Sequence, residues 1–283
     1  MPDASKAGRA DLHVHTTHSD GACSPGEVVQ AAANMRLAAL AITDHDSLSA
    51  LAVARPEAAR LGIELVGGIE LTAERDGREV HILGHFVRDD DPTLVELTAS
   101  MRIERDTRLA GMIARLAGLG LRVDHEQLRR AFPRATLGRK HLGDFLVRTG
   151  QVPTRREAFA RWLGDDGPAQ VPKPRVEWHR AIRVIREAGG VAGLAHPPHD
   201  LRLATLRDYA DAGMGAIEVD YHAVDARRES RLREWATLLD LVPTAGSDFH
   251  APDRPGRWLG AITTPTADLE RLRERSEAGV ARA

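Results

Sequence analysis

The fold of this chain can be inferred from one stretch near its start, Asp11-Leu12-His13-Val14-His15-Thr16-Thr17-His18-Ser19-Asp20-Gly21. Apolar and polar residues alternate through its first half, which predicts a β-strand. Because side chains alternate across a strand, His13 and His15 lie on the same face. Two adjacent imidazoles make half of a metal site, and Asp20 can add a carboxylate oxygen after the strand has ended.

Metal-type ligands recur where later apolar runs end. These ends are Thr43-Asp44-His45-Asp46, Gly68-Ile69-Glu70, Ala195-His196-Pro197 and Ser247-Asp248-Phe249-His250. Helical patterns separate most of the runs, and this alternation is typical of a parallel α/β fold. In a β/α barrel the carboxyl ends of the strands meet on one face, where catalytic residues lie. We therefore expect these side chains to form one site.

One connection is too short for a helix. Nine residues separate Glu70 from the next apolar run, and Asp76-Gly77 in their middle is typical of a hairpin turn. An antiparallel return would place His81, near the start of the second strand, at the same end as Glu70. We therefore expect these two residues to share the site. His85 lies further along the same strand and is interpreted as part of the core or as a residue that supports the ligands from behind, with a ligand role as the alternative.

The strand pattern disappears from Pro92 to about Pro172, where apolar residues recur at helical spacing. Between Pro92 and His141 there are ten Arg and Lys residues and five acids, although the formal net charge of the whole chain is −2. We expect residues 92–171 to form a helical insert that acts as a substrate-binding lid, in a barrel formed by residues 1–91 and 172–283. Such a charge distribution suggests that the acidic body holds metal while the basic insert contacts an anion.

Composition narrows the class of protein further. No run approaches the roughly 18 apolar residues of a membrane span. The single cysteine, Cys23, excludes an internal disulfide framework and fits a reducing compartment. We therefore expect a cytoplasmic protein without membrane contact, and no obligate protein partner is evident.

In this order the motifs resemble the polymerase and histidinol phosphatase (PHP) superfamily. The resemblance extends from about Ala10 to Thr264. It implies an α/β fold, a distorted (β/α)7 barrel, and hydrolysis of phosphoesters at a site of two or three divalent metal ions. Manganese is the first choice of metal, with iron and zinc as alternatives.

Residue by residue, the resemblance implies nine ligands and up to three ions. They are His13, His15, Glu70 and Asp248 on the first ion, Glu70 with His81 and His196 on the second, and Asp20, His45 and His250 on the third. The implied nucleophile is a metal-bound hydroxide, which two ions about 3.5 to 4 Å apart can generate at neutral pH. No protein nucleophile is then required.

Further residues are candidates for supporting roles. Asp44 and Asp46 flank His45 and are expected either to orient the ligands from behind or to cap a helix. His222 is a candidate for protonating the leaving oxygen, with an ordinary loop residue as the alternative.

The insert carries a narrower resemblance. The elements Gly138-Arg139-Lys140-His141, Phe159 to Gly164 and Gly189-Gly190 are similar to those of bacterial nucleoside 3′,5′-bisphosphate phosphatases, including ribonuclease AM, a 5′-to-3′ exoribonuclease. They imply removal of the 3′-phosphate from a molecule such as adenosine 3′,5′-bisphosphate (pAp), or shortening of 5′-phosphorylated RNA. Few aromatic residues lie in the insert, so we expect a nucleotide or a short oligonucleotide rather than a long strand.

The residues expected to grip the phosphate are Arg105, Arg108, Arg134, Arg139 and His141. Guanidinium groups bind phosphate in bidentate fashion, and a helix start such as that at Gly138 favours anions. For the arginines near residue 105, the alternative is a solvated helix face paired with Glu104 and Asp106.

Two other functions stay open. Histidinol-phosphate hydrolysis would use the same ions but would need no second phosphate grip. A non-catalytic metal- or nucleotide-binding scaffold would be indicated by missing ligands, and every expected ligand type is present.

Overall fold

The computed structural model describes residues 8–133, 135–173 and 175–280. Within this range the chain forms two compact units, one inside Met1–Thr98 and Arg175–Ala283 and the other inside Ala99–Pro174. Arg134, one of the residues expected to grip phosphate, lies outside the described residues. That the insert acts as a lid over substrate stays a prediction.

The first unit is built on a mixed sheet. Its strands are β1 (Arg9–Val14), β2 (Ala39–Ile42), β3 (Glu64–Arg75), β4 (Arg78–His85), β5 (Val176–Glu177), β6 (Val191–Leu194), β7 (Ala216–Asp220), β8 (Val242–Ala245) and β9 (Thr264–Pro265). Their order in the sheet is β8-β7-β6-β4-β3-β2-β1-β9, and β5 pairs with β3. The predicted distorted barrel of seven strands is confirmed, with the two-residue strands β5 and β9 in addition.

The sheet nearly closes between β1 and the residues after β8. A parallel bridge joins Val14 to Phe249. The N–H of His15 donates to the carbonyl oxygen of Phe249 at 2.9 Å. Gly246 packs so tightly against His13 that a Cβ atom there would overlap it, so this approach of the two strands requires glycine.

Strand β4 is the source of the distortion. It runs antiparallel to both β3 and β6, whereas the neighbouring strands on either side are parallel to one another. Asp76 and Gly77 connect β3 to β4 with φ values of +52° and +76°, as a two-residue hairpin turn of this type requires. The predicted hairpin is confirmed. His81, near the start of β4, therefore lies at the carboxyl end of the parallel strands.

In chain order, the helices of the described residues are α1 (Pro25–Asn34), α2 (Leu51–Leu61), α3 (Pro92–Gly118), α4 (His125–Ala131), α5 (Arg139–Arg148), α6 (Arg155–Ala158), α7 (Trp178–Glu187), α8 (Leu203–Asp211), α9 (Ala226–Leu238) and α10 (Thr266–Val280). A π-helical turn follows α6 at Phe159–Leu163. Across the described ranges, no helix combines the length and the apolar character needed to cross a membrane.

Helix starts follow local sequence signals where no distant partner competes. Ser24 and Glu27 form a reciprocal capping box before α1, and Pro25 occupies its first turn. The sequence also predicts a helix from about Val176 to Ala188, but helix α7 begins only at Trp178. Val176 and the next residue pair with β3 as the short strand β5, because a neighbouring sheet edge satisfies their backbone groups.

The interior of the barrel is apolar at the end where the parallel strands begin. The residues that pack together there include Ala10, Ala39, Val191, Ala216 and Val242 at the strand starts, with Leu269 and Leu272 of α10. Apolar side chains thus fill the amino-terminal end of the barrel. Buried polar residues collect towards the opposite, carboxyl end.

The second unit has its own core, formed by the helical pattern expected for the insert. Leu109, Met112 and Leu116 of α3 pack in one cluster with Leu142, Phe145 and Leu146 of α5 and with Leu163. The second unit also contains the short helix α4, which has seven residues. Its N-cap is Asp124, which accepts a hydrogen bond from the N–H of Gln127.

Candidate metal centre

The nine side chains expected as metal ligands converge at the carboxyl end of the barrel. Their ligand atoms form four groups, and within each group the atoms lie within 4.8 Å of one another. The groups are His15-Asp20-His45-His250, His13-His15-Asp248, His13-Glu70-His196 and His45-Glu70-His81. Four of the nine residues belong to two groups each, so the groups form one continuous cluster.

Glu70, whose side chain is fully buried, is the centre of this cluster. Its Oε1 lies 2.8 Å from Nδ1 of His81 and 3.1 Å from Nε2 of His196. Its Oε2 lies within 3.3 Å of ring nitrogens of three further residues, His13, His15 and His45. Although these nitrogens are close, Oε2 has no hydrogen bond of normal geometry. Five imidazoles directed at one bridging carboxylate fit a polynuclear site for divalent cations.

Asp248 and Asp20 supply the other carboxylates. Oδ1 of Asp248 lies 3.4 Å from Nε2 of His15 and 3.4 Å from Nδ1 of His250. Oδ1 of Asp20 lies 3.1 Å from Nε2 of His250. The backbone is strained at two of the expected ligands, since Asp248 has a φ of +50° and His196 a φ of +24°. Such strain is typical of positions where the surrounding structure imposes a functional geometry.

The pKa values in the cluster are set by burial and by contacts between imidazoles and carboxylates. Burial lowers the pKa of His45 to about 3, so this ring is neutral. Burial also opposes protonation of His15, but the carboxylates of Asp248 and Glu70 beside its ring outweigh burial and raise the pKa of His15 to about 10. Burial would raise the pKa of Glu70, yet the surrounding imidazoles hold it well below its ordinary value. A bound cation would replace protons on the imidazoles and leave the carboxylates ionised.

Asp44 and Asp46 hold backbone segments beside the site. Asp44 accepts hydrogen bonds from the N–H and the hydroxyl of Thr16, at 2.8 and 2.6 Å. Asp46 accepts from the N–H and the hydroxyl of Thr72, at 2.7 and 2.9 Å. Neither residue is the N-cap of α2, which is Ala50, so the capping alternative is wrong for this helix. Both carboxylates therefore fix, through hydrogen bonds, backbone segments that carry the expected ligands.

Two charged residues that contact the ligands are missing from the sequence-based prediction. Glu218 on β7 accepts hydrogen bonds from Nδ1 of His13, at 3.0 Å, and from the backbone N–H of His196, at 2.6 Å. Arg257 donates from Nη1 to Oδ2 of Asp248 at 2.6 Å. An acidic residue between the buried apolar residues Ile217 and Val219 of β7 is a signal that could have revealed Glu218. Arg257 lies in a loop without any such pattern.

Asp11 is a third charged residue beside the site that is missing from the sequence-based prediction. It is fully buried and accepts hydrogen bonds from the N–H and the hydroxyl of Ser247, at 3.0 and 2.6 Å, and from the N–H of Gly260, at 2.8 Å. Burial raises the pKa of Asp11 to about 6. The register of β1 against β2 shifts between Asp11 and Val14, so simple alternation along the strand does not relate Asp11 to His13.

Two more histidines lie near the cluster. His85 donates from Nε2 to the carbonyl oxygen of Leu12 at 2.9 Å, in the core as expected. His222 lies in the turn after β7, where a Cβ atom added to Gly256 would approach its Nδ1 to 3.2 Å. His222 is thus beside the loop that carries Arg257. Its role as a proton donor stays a prediction.

The residues expected to grip phosphate lie in the second unit. Arg108 is 8% exposed and donates from Nε to a backbone carbonyl at 2.7 Å, so the solvated-face alternative is wrong for it. Arg139 forms an ion pair with Asp165 at 2.6 Å. His141 is buried, and its Nδ1 accepts the N–H of Gly138 at 3.1 Å at the start of α5. Asp106 was expected to pair with the arginines near residue 105. It instead pairs with Arg129 of α4.

The chain is similar to known proteins over most of its length. The family profile of the PHP domain matches residues 11–136. The chain is 32% identical over 259 residues to the 5′-3′ exoribonuclease Rnm of Escherichia coli K12, covering 89% of this chain and 88% of that protein. It is 34% identical over 258 residues to the 3′,5′-nucleoside bisphosphate phosphatase of Chromobacterium violaceum, with coverage of 88% and 90%.

Two further comparisons add a relative with a different named activity and a protein of known structure. The chain is 35% identical over 246 residues to the phosphoribosyl 1,2-cyclic phosphate 1,2-diphosphodiesterase of Eggerthella lenta, covering 85% of this chain and 93% of that protein. A crystal structure of a protein proposed to be a metal-dependent phosphoesterase, from Bifidobacterium adolescentis, matches with a TM-score of 0.86 at 28% identity, over 97% of this chain and 98% of that one. This chain therefore belongs to the PHP family of metal-dependent phosphoesterases and is a hydrolase.

Proposed function

We propose that this hydrolase removes the 3′-phosphate from nucleoside 3′,5′-bisphosphates such as pAp, and that it also shortens 5′-phosphorylated RNA ends. The proposal is carried by one observation, the buried Glu70 carboxylate with five imidazoles directed at it. Two further carboxylates, Asp20 and Asp248, and a sixth imidazole, His250, complete the ligand set. The substrate would be a nucleotide or a short oligonucleotide, and the cytoplasm is the proposed compartment because the one cysteine, Cys23, is a free thiol.

The proposed cofactors are two or three divalent ions, with manganese as the first choice. His13, His15, Glu70 and Asp248 would hold the first ion, Glu70, His81 and His196 the second, and Asp20, His45 and His250 the third. When bound, such ions lower the pKa of a coordinated water and neutralise the oxygens of the phosphoryl group. A mixture of imidazole and carboxylate ligands also suits iron and zinc.

The burial of the ligands indicates the side from which a phosphate would approach. The side chains of His13, His15 and Glu70 are fully buried, whereas those of His196 and Asp20 are 35% and 24% exposed. Substrate would therefore enter along the exposed ligands. Arg257 is 30% exposed beside Asp248 and has further N–H groups to offer to phosphoryl oxygens.

A second phosphate distinguishes the proposed substrates from simple phosphomonoesters. We assign recognition of this second phosphate to the basic insert. Arg139 is the best-defined of the residues expected to bind it. Arg139 is paired with Asp165, whose side chain is 86% exposed. Exposed ion pairs are worth little, so a phosphate with two negative charges can take the place of Asp165. Arg105, Arg108, Arg134 and His141 are proposed as neighbours of this grip.

A phosphate-release screen with manganese tests the proposal. The substrates are pAp, AMP, histidinol phosphate, phosphoribosyl 1,2-cyclic phosphate and a 5′-phosphorylated oligoribonucleotide. We expect turnover of pAp and of the oligoribonucleotide, with much slower reaction of AMP and histidinol phosphate. Fastest turnover of the cyclic phosphate would favour the activity of the Eggerthella lenta relative instead, and fastest turnover of histidinol phosphate would favour that alternative.

A matched inactive variant makes the screen specific for the site. His45→Ala removes one proposed ligand from a partly exposed position, so the fold should survive while turnover is lost. Retained activity of this variant at saturating manganese would count against the proposed site. Far-UV circular dichroism would confirm that the variant is folded.

A further inference from the structure

Glu218 connects two of the proposed ligands that lie on different strands. It belongs to β7, and its side chain is 1% exposed. Its Oε1 lies 3.0 Å from Nδ1 of His13, and its Oε2 lies 2.6 Å from the backbone nitrogen of His196. An ionised carboxylate can only accept hydrogen bonds, so both partners must donate.

The first contact determines which nitrogen of His13 carries the proton. A neutral imidazole has one N–H group, and in His13 that group is Nδ1–H when it donates to Glu218. Its Nε2 then bears a lone pair. This atom lies 3.3 Å from Oε2 of Glu70 and 3.1 Å from Nε2 of His15. The hydrogen bond therefore directs the lone pair of His13 into the cluster.

The second contact holds the backbone of His196. At a φ of +24° this residue has a conformation that residues other than glycine rarely adopt. Its N–H is fixed by Glu218, while its ring Nε2 lies 3.1 Å from Oε1 of Glu70. One carboxylate thus keeps His196 in a strained backbone geometry that turns its ring towards Glu70.

We propose that Glu218 is a positioning residue that controls the filling of two of the three cation positions. This inference rests on the proposed metal centre. The first and second ions each use a histidine that Glu218 holds, namely His13 and His196. The third ion, assigned to Asp20, His45 and His250, uses neither of them.

The variant Glu218→Gln tests this role because it keeps the shape of the side chain but not its two acceptors. Whichever way the amide is turned, its NH₂ group faces either His13 Nδ1–H or the N–H of His196. We expect loss of about two ions per chain, or a 10- to 100-fold weaker affinity for them, with the third position retained. Metal content after dialysis against Mn²⁺ and calorimetric titration with Mn²⁺ would measure this.

The matched control is Glu234→Gln, an exposed position on α9, which should bind Mn²⁺ like the wild type. Equal stoichiometry and affinity in the Glu218→Gln variant would overturn the inference and leave the metal centre intact. Equal weakening of all three positions in a folded variant would also overturn it. A wild-type chain that binds no divalent cation would reject the metal centre itself.

A measurement on the wild type covers the case in which the variant does not fold. In the Zn²⁺-loaded protein, a long-range ¹H–¹⁵N spectrum of the histidine rings should assign the proton of His13 to Nδ1. A proton on Nε2 of His13 would contradict the role of Glu218.

Discussion

Arg257 donates a hydrogen bond to Oδ2 of Asp248, while Oδ1 of the same carboxylate faces the imidazoles of His15 and His250. The guanidinium therefore restricts rotation of the carboxylate and leaves one oxygen facing the proposed metal centre. Outer partners of this kind orient ligands without binding the metal themselves. We propose that further N–H groups of Arg257 contact the substrate.

We expect Arg257→Ala to lower kcat/KM by about 10- to 100-fold, the usual cost of losing a residue that orients a metal ligand. Arg257→Lys should be intermediate, because it keeps the charge but not the planar guanidinium. Arg254→Ala, in the same loop, is the control. The measurement is phosphate release at equal metal content. Wild-type activity of Arg257→Ala would remove this residue from the site.

Asp11 connects β1 to the loop that carries Asp248, through its hydrogen bonds with Ser247 and Gly260. Asp11→Asn leaves one acceptor oxygen where two are used, and turns an NH₂ group towards donors. We expect the free energy of unfolding to fall by about 2–3 kcal/mol. Urea denaturation of the metal-free protein would measure the change.

Asp253→Asn is the control for this prediction, because Asp253 is exposed in a nearby loop. A change at that position should stay within about 0.5 kcal/mol. If Asp11→Asn behaves like Asp253→Asn, the buried hydrogen bonds of Asp11 do not hold the loop.

The positions of most expected ligands could be predicted because each follows from a local pattern. Alternation in the sequence predicts that His13 and His15 share one face, and strand ends in an α/β barrel share one end. The hairpin signal at Asp76-Gly77 was sufficient to bring His81 to Glu70. These inferences need only the direction of each strand.

Contacts of other residues depend on the tertiary path of the chain. Glu218 and His13 are 205 residues apart, so no local spacing links them. Arg257 reaches Asp248 from an irregular loop, whose course is set by packing rather than by periodicity. Val176 leaves the helical pattern because an edge of β3 is available to it. Local sequence patterns predict none of these three contacts.

Removal of the ions should lower the melting temperature. Ligands that bind only the native state stabilise it by about 2.7 kcal/mol at 100 times Kd. For a chain of this size, that corresponds to a fall in Tm of about 5–10 °C after chelation. Differential scanning calorimetry before and after chelation, and after return of Mn²⁺, would measure it. An unchanged Tm after verified metal removal would contradict the coupling between metal binding and folding.

Arg139 is the sharpest test of substrate choice, since a second phosphate is what separates pAp from a simple ester. Loss of a charge-assisted hydrogen bond costs about 1.5–3 kcal/mol, so Arg139→Ala should raise KM for pAp by about 10- to 100-fold. KM for an aryl phosphate and kcat for both substrates should change little. Asp165→Ala frees the guanidinium and should lower KM for pAp, whereas Arg161→Ala, which removes another exposed ion pair, should have no effect. Equal changes for pAp and the aryl phosphate would exclude Arg139 from recognition of the second phosphate.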